Sequence, residues 1–443
     1  MKKETLIIIF CIILFNAMIG KAQTQQTDII KVMSYNVGDY GAGTNGCPLL
    51  SLTIKNPYIR TVLEYAKPDI LGCVKMKDNS GTVTTSFINN VLDSVCYGCY
   101  GYSNYTDVTG DNRVNMLYYD TNKIRYVSTT TIYSGDPNIS DINLHKLYYK
   151  NLNLFTTHDT IFLNIVLVHL LSGSTSAAER GTEITGVMTW LNANITSPEN
   201  LIIMGDFNTI SSSESCFNQL INSTDSNTKF YDPPNQLGQW TSFPQNFTMY
   251  LTQSTRLTDP GDCLATGGIT NRFDHILCTA PIINGTNSVQ YVPGSYTVIG
   301  QDGQHTNSSL NSPPANTSVP ANVDSALYYT SEHLPVSLNL GITYTVYAGI
   351  ENISNPQIKI DYTTIVTDKV SIQPIKNNAL SNNYNKCIVE IYDMQGRVVA
   401  INSINLNRTN TIDVSEVSAG MYFMRIMNES NPIFSGKLIK IKE

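Results

Sequence analysis

From Ile30 to about residue 342, short apolar runs rich in β-branched residues alternate with turn-rich loops, and no long helix pattern takes hold. This alternation constrains the fold more than any other feature, because it calls for several short strands with a few helices packed on them. Strands are predicted over Ile30–Asn36, Met116–Tyr119, Ile161–His169, Leu201–Asp206, Phe273–Cys278 and Leu334–Leu340. Helices are predicted over Ala177–Ala193 and over Ile54–Ala66, where Ile54, Tyr58, Val62 and Tyr65 recur on one face. Strands and helices mixed in this way point to an α/β or α+β sandwich. The stretch Gly300–Asn322, rich in Asn, Ser, Pro and Thr, reads as a long surface loop inside this domain.

The N-terminus combines Lys2 and Lys3, an apolar run from Leu6 to Met18, and Gly20-Lys21-Ala22. A positive start, a short apolar stretch and a small-x-small site make residues 1–22 an expected signal peptide. No later segment has the roughly 20 apolar residues of a membrane-spanning helix. Loss of the leader would move the formal net charge from −7 to about −9. An acidic chain with no basic run is a poor sequence-independent nucleic-acid binder, because such binding depends on Lys and Arg neutralising phosphates. Of nine cysteines, Cys11 falls in the leader. Cys96 and Cys99 form a C-x-x-C without a second Cys or His pair at zinc spacing, so a loop disulfide or two unpaired thiols are expected there rather than zinc.

Candidate chemistry gathers at the ends of the predicted strands. Leu201-Ile202-Ile203-Met204-Gly205-Asp206-Phe207-Asn208 is an apolar run that ends in glycine and then presents Asp206 and Asn208 to one side. Such a carboxylate can take a proton from water or hold a metal. Ser331-Glu332-His333 precedes the last strand, His169 closes the run from Ile161, Arg272-Phe273-Asp274 opens another strand, and Asn36 closes the first. These five motifs, in this order, resemble the endonuclease/exonuclease/phosphatase family, which includes deoxyribonucleases, inositol polyphosphate phosphatases and bacterial sphingomyelinases.

The resemblance spans residues 30–342 and implies a four-layer α/β sandwich, two packed mixed sheets flanked by helices, with the site at one end. It implies hydrolysis of a phosphoester (nucleic acid, phospholipid headgroup or small phosphate ester) by metal-activated water, with Mg2+ or Mn2+ as cofactor. In that scheme Asp206 orients or deprotonates the water, and Asn36 and Asn208 hold phosphate oxygens or the metal's water shell. His333 contacts the scissile phosphate, Glu332 orients His333, and His169 is a second histidine. Asp274, Asp206 and Asn36 are the expected metal contacts.

One position departs from the pattern. The family's metal-binding glutamate ends a strand of the form D-I-(I/L)-x-x-Q-E, and here Asp69-Ile70-Leu71-Gly72-Cys73-Val74-Lys75 places a lysine there. The change removes an oxygen ligand and swings the local charge by two, so magnesium binds weakly or not at all. Three outcomes stay open: a silent, exported phosphate-ligand binder; a metal-independent enzyme in which Lys75 binds the phosphate; or an active enzyme in which Asp78 or Glu64 reaches the metal. Glu332 also stands where the family has aspartate.

After a polar stretch at 343–370, residues 371–443 turn all-β, with strands expected over Cys387–Tyr392, Val398–Ile401, Thr411–Val414 and Met421–Ile426, as in a small sandwich. Ile391-Tyr392-Asp393-Met394-Gln395-Gly396-Arg397 and Ala419-Gly420-Met421-Tyr422 resemble the C-terminal sorting domain of the type IX secretion pathway, with Val417 in place of the usual leucine. The resemblance implies the type IX machinery as partner and a secreted or cell-surface protein.

Overall fold

The computed structural model describes residues 22–44, 46–134, 140–151, 154, 160–348, 359–375, 384–394, 396–428 and 431–441. The leader expected over residues 1–22 lies outside these, apart from Ala22. Two compact units emerge, one over Gln25–Thr345 and the other over Val346–Glu443 together with the residues up to Thr24.

In the first unit the strands run β1 (Ala22–Tyr40), β2 (Ile70–Lys77), β3 (Tyr100–Tyr102), β4 (Arg113–Asp120), β5 (Ile124–Tyr133), β6 (Ile142–Tyr149), β7 (Ile161–His169), β8 (Leu201–Asp206), β9 (Phe230–Tyr231), β10 (Asp274–Thr279), β11 (Val289–Tyr291), β12 (Thr297–Val298) and β13 (Val336–Ala348). They form a seven-stranded sheet ordered β11-β13-β1-β2-β4-β3, with β12 beside β13, and a six-stranded sheet ordered β5-β6-β7-β8-β10-β9. Both are mixed: β1 and β2 run parallel, as do β7 and β8, whereas β8 and β10 are antiparallel. Helices α1 (Leu52–Ala66), α2 (Ala177–Asn194), α3 (Ser215–Ile221) and α4 (Ala321–Thr330) flank the sheets. This is the four-layer α/β sandwich.

Apolar, β-branched runs explain why the central strands are buried on both faces, as all six residues of β8 are. Where the sheets face each other the chain needs glycine: a Cβ on Gly72 of β2 would come within 2.5 Å of Leu167 and 2.8 Å of Met204 from the other sheet. Outside the six-stranded sheet, Val187 and Leu191 of α2 and Phe217 and Leu220 of α3 close a core with Val166, Ile203, Trp240 and Leu277.

Helix α1 forms where expected but turns another face inward. Ile59, Val62, Leu63 and Ala66 are buried, together with Lys55 and Asn56, while Ile54 and Tyr65 are exposed. The polar pair is tolerated because Lys55 Nζ donates to the carbonyls of Val37 and Gly38 and Asn56 accepts from the Tyr40 hydroxyl at 2.8 Å. A disulfide, Cys47–Cys263, joins the loop after β1 to the loop before β10. The segment after Gly300 belongs to this unit, and buried His305 pins it through Asp302 and the carbonyls of Ser312 and Pro314.

The second unit is all-β. Strands β14 (Lys359–Tyr362), β16 (Lys369–Ile375) and β19 (Asn410–Asp413) make one sheet; β15 (Ile365–Val366), β21 (Asn431–Lys440), β20 (Gly420–Asn428), β17 (Cys387–Tyr392) and β18 (Val398–Ile404) make the other. Val389, Ile391, Met424, Ile426, Val370 and Ile372 fill the space between them.

Candidate active site

The C-terminal ends of β1, β2, β7 and β8 meet the start of β10 and the segment before β13 around a cleft of about 470 Å³. Its lining includes Asp39, Lys75, Lys77, Arg113, His169, Asp206, Asn208, Gln253, Glu332 and His333. Lys75, Asn208 and Asp39 hold left-handed backbone conformations, with φ of 60°, 51° and 52°. Such strain in non-glycine residues collects where a site must be shaped. Gly205 shapes it too, since a Cβ there would lie 1.8 Å from the Val168 carbonyl oxygen.

Asp206 sits at the centre. Its Oδ2 accepts from Asn36 Nδ2 at 2.8 Å, and its Oδ1 from the Asn208 amide at 2.9 Å. His333 Nε2 and His169 Nε2 stand 3.5 and 3.8 Å from Oδ2. Burial raises the Asp206 carboxyl to about 6, against the opposing pull of His333.

His333 Nδ1 meets Asp274 Oδ2 at 2.7 Å, and Nε2 lies 3.0 Å from the Gln253 amide nitrogen. Burial lowers the ring's affinity for protons, but Asp274 and Asp206 outweigh it and raise His333 to about 9. Burial, with Lys75 and His333, pushes His169 down to about 3, so it is neutral. The site therefore holds a charged histidine and a neutral one.

The ring of His333 is oriented by Asp274, not by Glu332 as the sequence reading had it. Glu332 instead meets the Lys75 ammonium at 2.5 Å, and its own approach to the ring is 3.9 Å. Burial works against its charge, yet Lys75 and His333 hold its carboxyl far below the usual range. The longer side chain has a reason here: glutamate reaches one methylene further than aspartate, to an ammonium.

Asn208 lines the cleft, whereas Asn36 is fully buried behind Asp206 and is not part of the lining; each amide already donates within the protein, Asn36 to Asp206 and Asn208 to the Leu170 carbonyl at 2.9 Å. Asp78 and Glu64 do not supply the missing ligand. The Asp78 carboxylate accepts from the Ser80 and Thr84 amides, and Glu64 is exposed on α1. Gln253, Asp39, Lys77, Arg113 and the buried Lys55 were not picked out from the sequence. A polar residue at a strand end beside a motif was the one signal available, and Lys77, two residues past Lys75, carried it.

A profile of the endonuclease/exonuclease/phosphatase family matches residues 105–318. The chain carries a domain of that family. A second profile, the secretion system C-terminal sorting domain, matches residues 366–442, so the all-β unit is a sorting tail that points to secretion or the cell surface, and the type IX machinery is its implied partner. No helix among the described residues is long and apolar enough to cross a membrane. No curated protein matches.

Similar solved structures include a conserved protein of unknown function from Enterococcus faecalis V583, at 15% identity and TM-score 0.43 over 72% of this chain and all of the other. A family protein from Bacteroides thetaiotaomicron is 14% identical, at TM-score 0.43 over 72% and 97% of the two chains. The human Nocturnin catalytic domain with bound sulfate is 12% identical, at TM-score 0.43 over 73% and 97%.

Members of this phosphoesterase family generally use divalent metals, and here Asp206, Asp274 and His333 place candidate ligand atoms within 4.8 Å of one another. The donor chemistry of this chain does not fit a divalent ion. His333 bridges the two carboxylates, with Nδ1 2.7 Å from Asp274 and Nε2 3.5 Å from Asp206, and the Lys75 ammonium meets Glu332 on the other side. Asp274 Oδ1 is buried with no hydrogen-bond partner among the described residues.

Proposed function

We propose that the family domain binds a phosphoester in this cleft and hydrolyses it without Mg2+ or Mn2+, with Lys75 supplying positive charge where relatives place a metal. The observation that carries this reading is the Lys75–Glu332 ion pair at 2.5 Å beside an otherwise complete acid–base set. Asp206, raised to about 6, takes a proton from the attacking water, and Asn36 fixes the carboxylate that does so. His333, charged and steered by Asp274, stabilises the negative charge that builds on the phosphoryl oxygens and hands a proton to the leaving oxygen. The leader and the sorting tail together support export, with the protein acting outside the cell.

A second reading, a silent phosphate-ligand binder, is favoured by one fact: Glu332 already answers the charge of Lys75. The two are separated by assaying the full chain on bis-p-nitrophenyl phosphate in EDTA and in Mg2+, beside Asp206→Asn. Turnover that survives EDTA and disappears in Asp206→Asn supports hydrolysis. No turnover, with phosphate or a nucleotide still bound, supports the binder, and turnover only with Mg2+ sinks both.

A further inference from the structure

We propose that Lys77 and Arg113 form a second anion subsite on the rim of the cleft, which selects small phosphoesters carrying a second phosphoryl group. The inference rests on the reading that the cleft binds a phosphoester. Lys77 of β2 and Arg113 of β4 are directly paired in the antiparallel register, and both line the cleft beside Lys75. Like charges set opposite each other on adjacent strands repel, so this pair is a cost in the free protein and an attraction for an anion, even with Asp111 beside Arg113.

The repulsion is visible in Lys77. Partial burial and then Arg113 lower its affinity for a proton, and its ammonium has no hydrogen bond or ion pair among the described residues. Arg113 is held by Asp111 at 3.4 Å, which aims the guanidinium without burying it. Lys75 and Lys77, two positions apart on β2, fall on the same side of the strand and both line the cleft. Lys75 is answered by Glu332, so the rim pair is where an incoming anion gains most. Asp39 also lines the cleft and offsets part of the charge.

A guanidinium beside an ammonium suits a tetrahedral phosphoryl group, the first as a fork and the second as a point charge. The formal net charge of −7 favours a compact ligand over a polynucleotide, which needs a track of cations along its backbone.

The test compares thymidine 3′,5′-bisphosphate with thymidine 5′-monophosphate by calorimetry, using the full chain in EDTA. The bisphosphate should bind about tenfold more tightly. That preference should collapse toward one in Lys77→Met and in Arg113→Met, and return in Lys77→Arg, with circular dichroism confirming each fold. Equal affinity for the two nucleotides overturns the subsite and leaves the phosphoester reading standing. No binding of either overturns both. An oligothymidylate that binds more tightly than the bisphosphate, with affinity falling steeply in salt, overturns the small-ligand assignment in favour of a polynucleotide.

Discussion

Lys75 Nζ lies 2.5 Å from Glu332 Oε1, and the carboxylate it meets is fully buried while the lysine side chain keeps 23% of its exposure. Removing one partner of a buried pair strands the other charge, at a cost of about 3–5 kcal/mol when both are deep; with one partner partly exposed, about 2 kcal/mol, between the buried and the surface case, is expected for Lys75→Met. Lys75→Glu goes further, setting two carboxylates together. That variant should melt well below wild type in EDTA and recover part of the loss in millimolar Mg2+, whereas wild type should not respond to the ion. Thermal melts with and without Mg2+ read this directly, and an equal Mg2+ shift in wild type sinks the idea that Lys75 has displaced the metal.

The two groups at the centre of the site bound the working pH. Asp206 must be ionised to accept a proton and titrates at about 6; His333 must be protonated and titrates at about 9. Hydrolysis in EDTA should therefore rise through pH 6 and fall through pH 9. Stability carries the same signature for His333. A ring raised from an ordinary value of 6.5 contributes fully below that value and loses its contribution as pH climbs through 9. A rate that stays flat from pH 5 to pH 10 would rule out this pair of roles.

The strands that carry the site were legible because their burial leaves a simple trace. Ile161–His169 and Leu201–Asp206 are apolar runs closed by a polar residue, and they appear with those limits. The face of α1 was misread because Lys55 and Asn56 look like solvent residues; only the carbonyls of Val37 and Gly38 and the Tyr40 hydroxyl, distant in sequence, make them interior. The partner of His333 was misassigned for a similar reason. Glu332 is adjacent in sequence, but neighbours in extended backbone point to different sides, and the ring instead meets Asp274, 59 positions away. Lys77 and Arg113 become a pair only through the register of β2 against β4.

Cys47 and Cys263 are bridged across 216 positions, and the loops they join rim the cleft through Ala42 and Ala265. By the chain-entropy relation, closing so long a loop is worth about 5 kcal/mol. The double change Cys47→Ser/Cys263→Ser, or reduction, should lower the melting temperature by roughly 5–10 °C for a domain of this size. The short Cys96–Cys99 loop should matter much less, so Cys96→Ser/Cys99→Ser serves as the control. Unchanged melting of chains shown by mass spectrometry to be reduced would sink the claim.

Asp274 acts through His333. Its Oδ2 lies 2.7 Å from Nδ1, and after burial, which works the other way, it is the largest influence on the ring and the one that holds the proton. Asp274→Asn keeps the shape and removes the charge, so the ring should titrate well below 9 and the alkaline limb of the pH–rate profile should move down with it. The effect on rate at neutral pH follows from the same shift: fewer rings are charged, and turnover falls by about ten- to a hundredfold. The ring titration is measurable by NMR on the His333 resonances, assigned with His333→Gln. A simple loss of packing would slow the reaction without moving the titration, so an unchanged His333 midpoint in Asp274→Asn would remove Asp274 from this role.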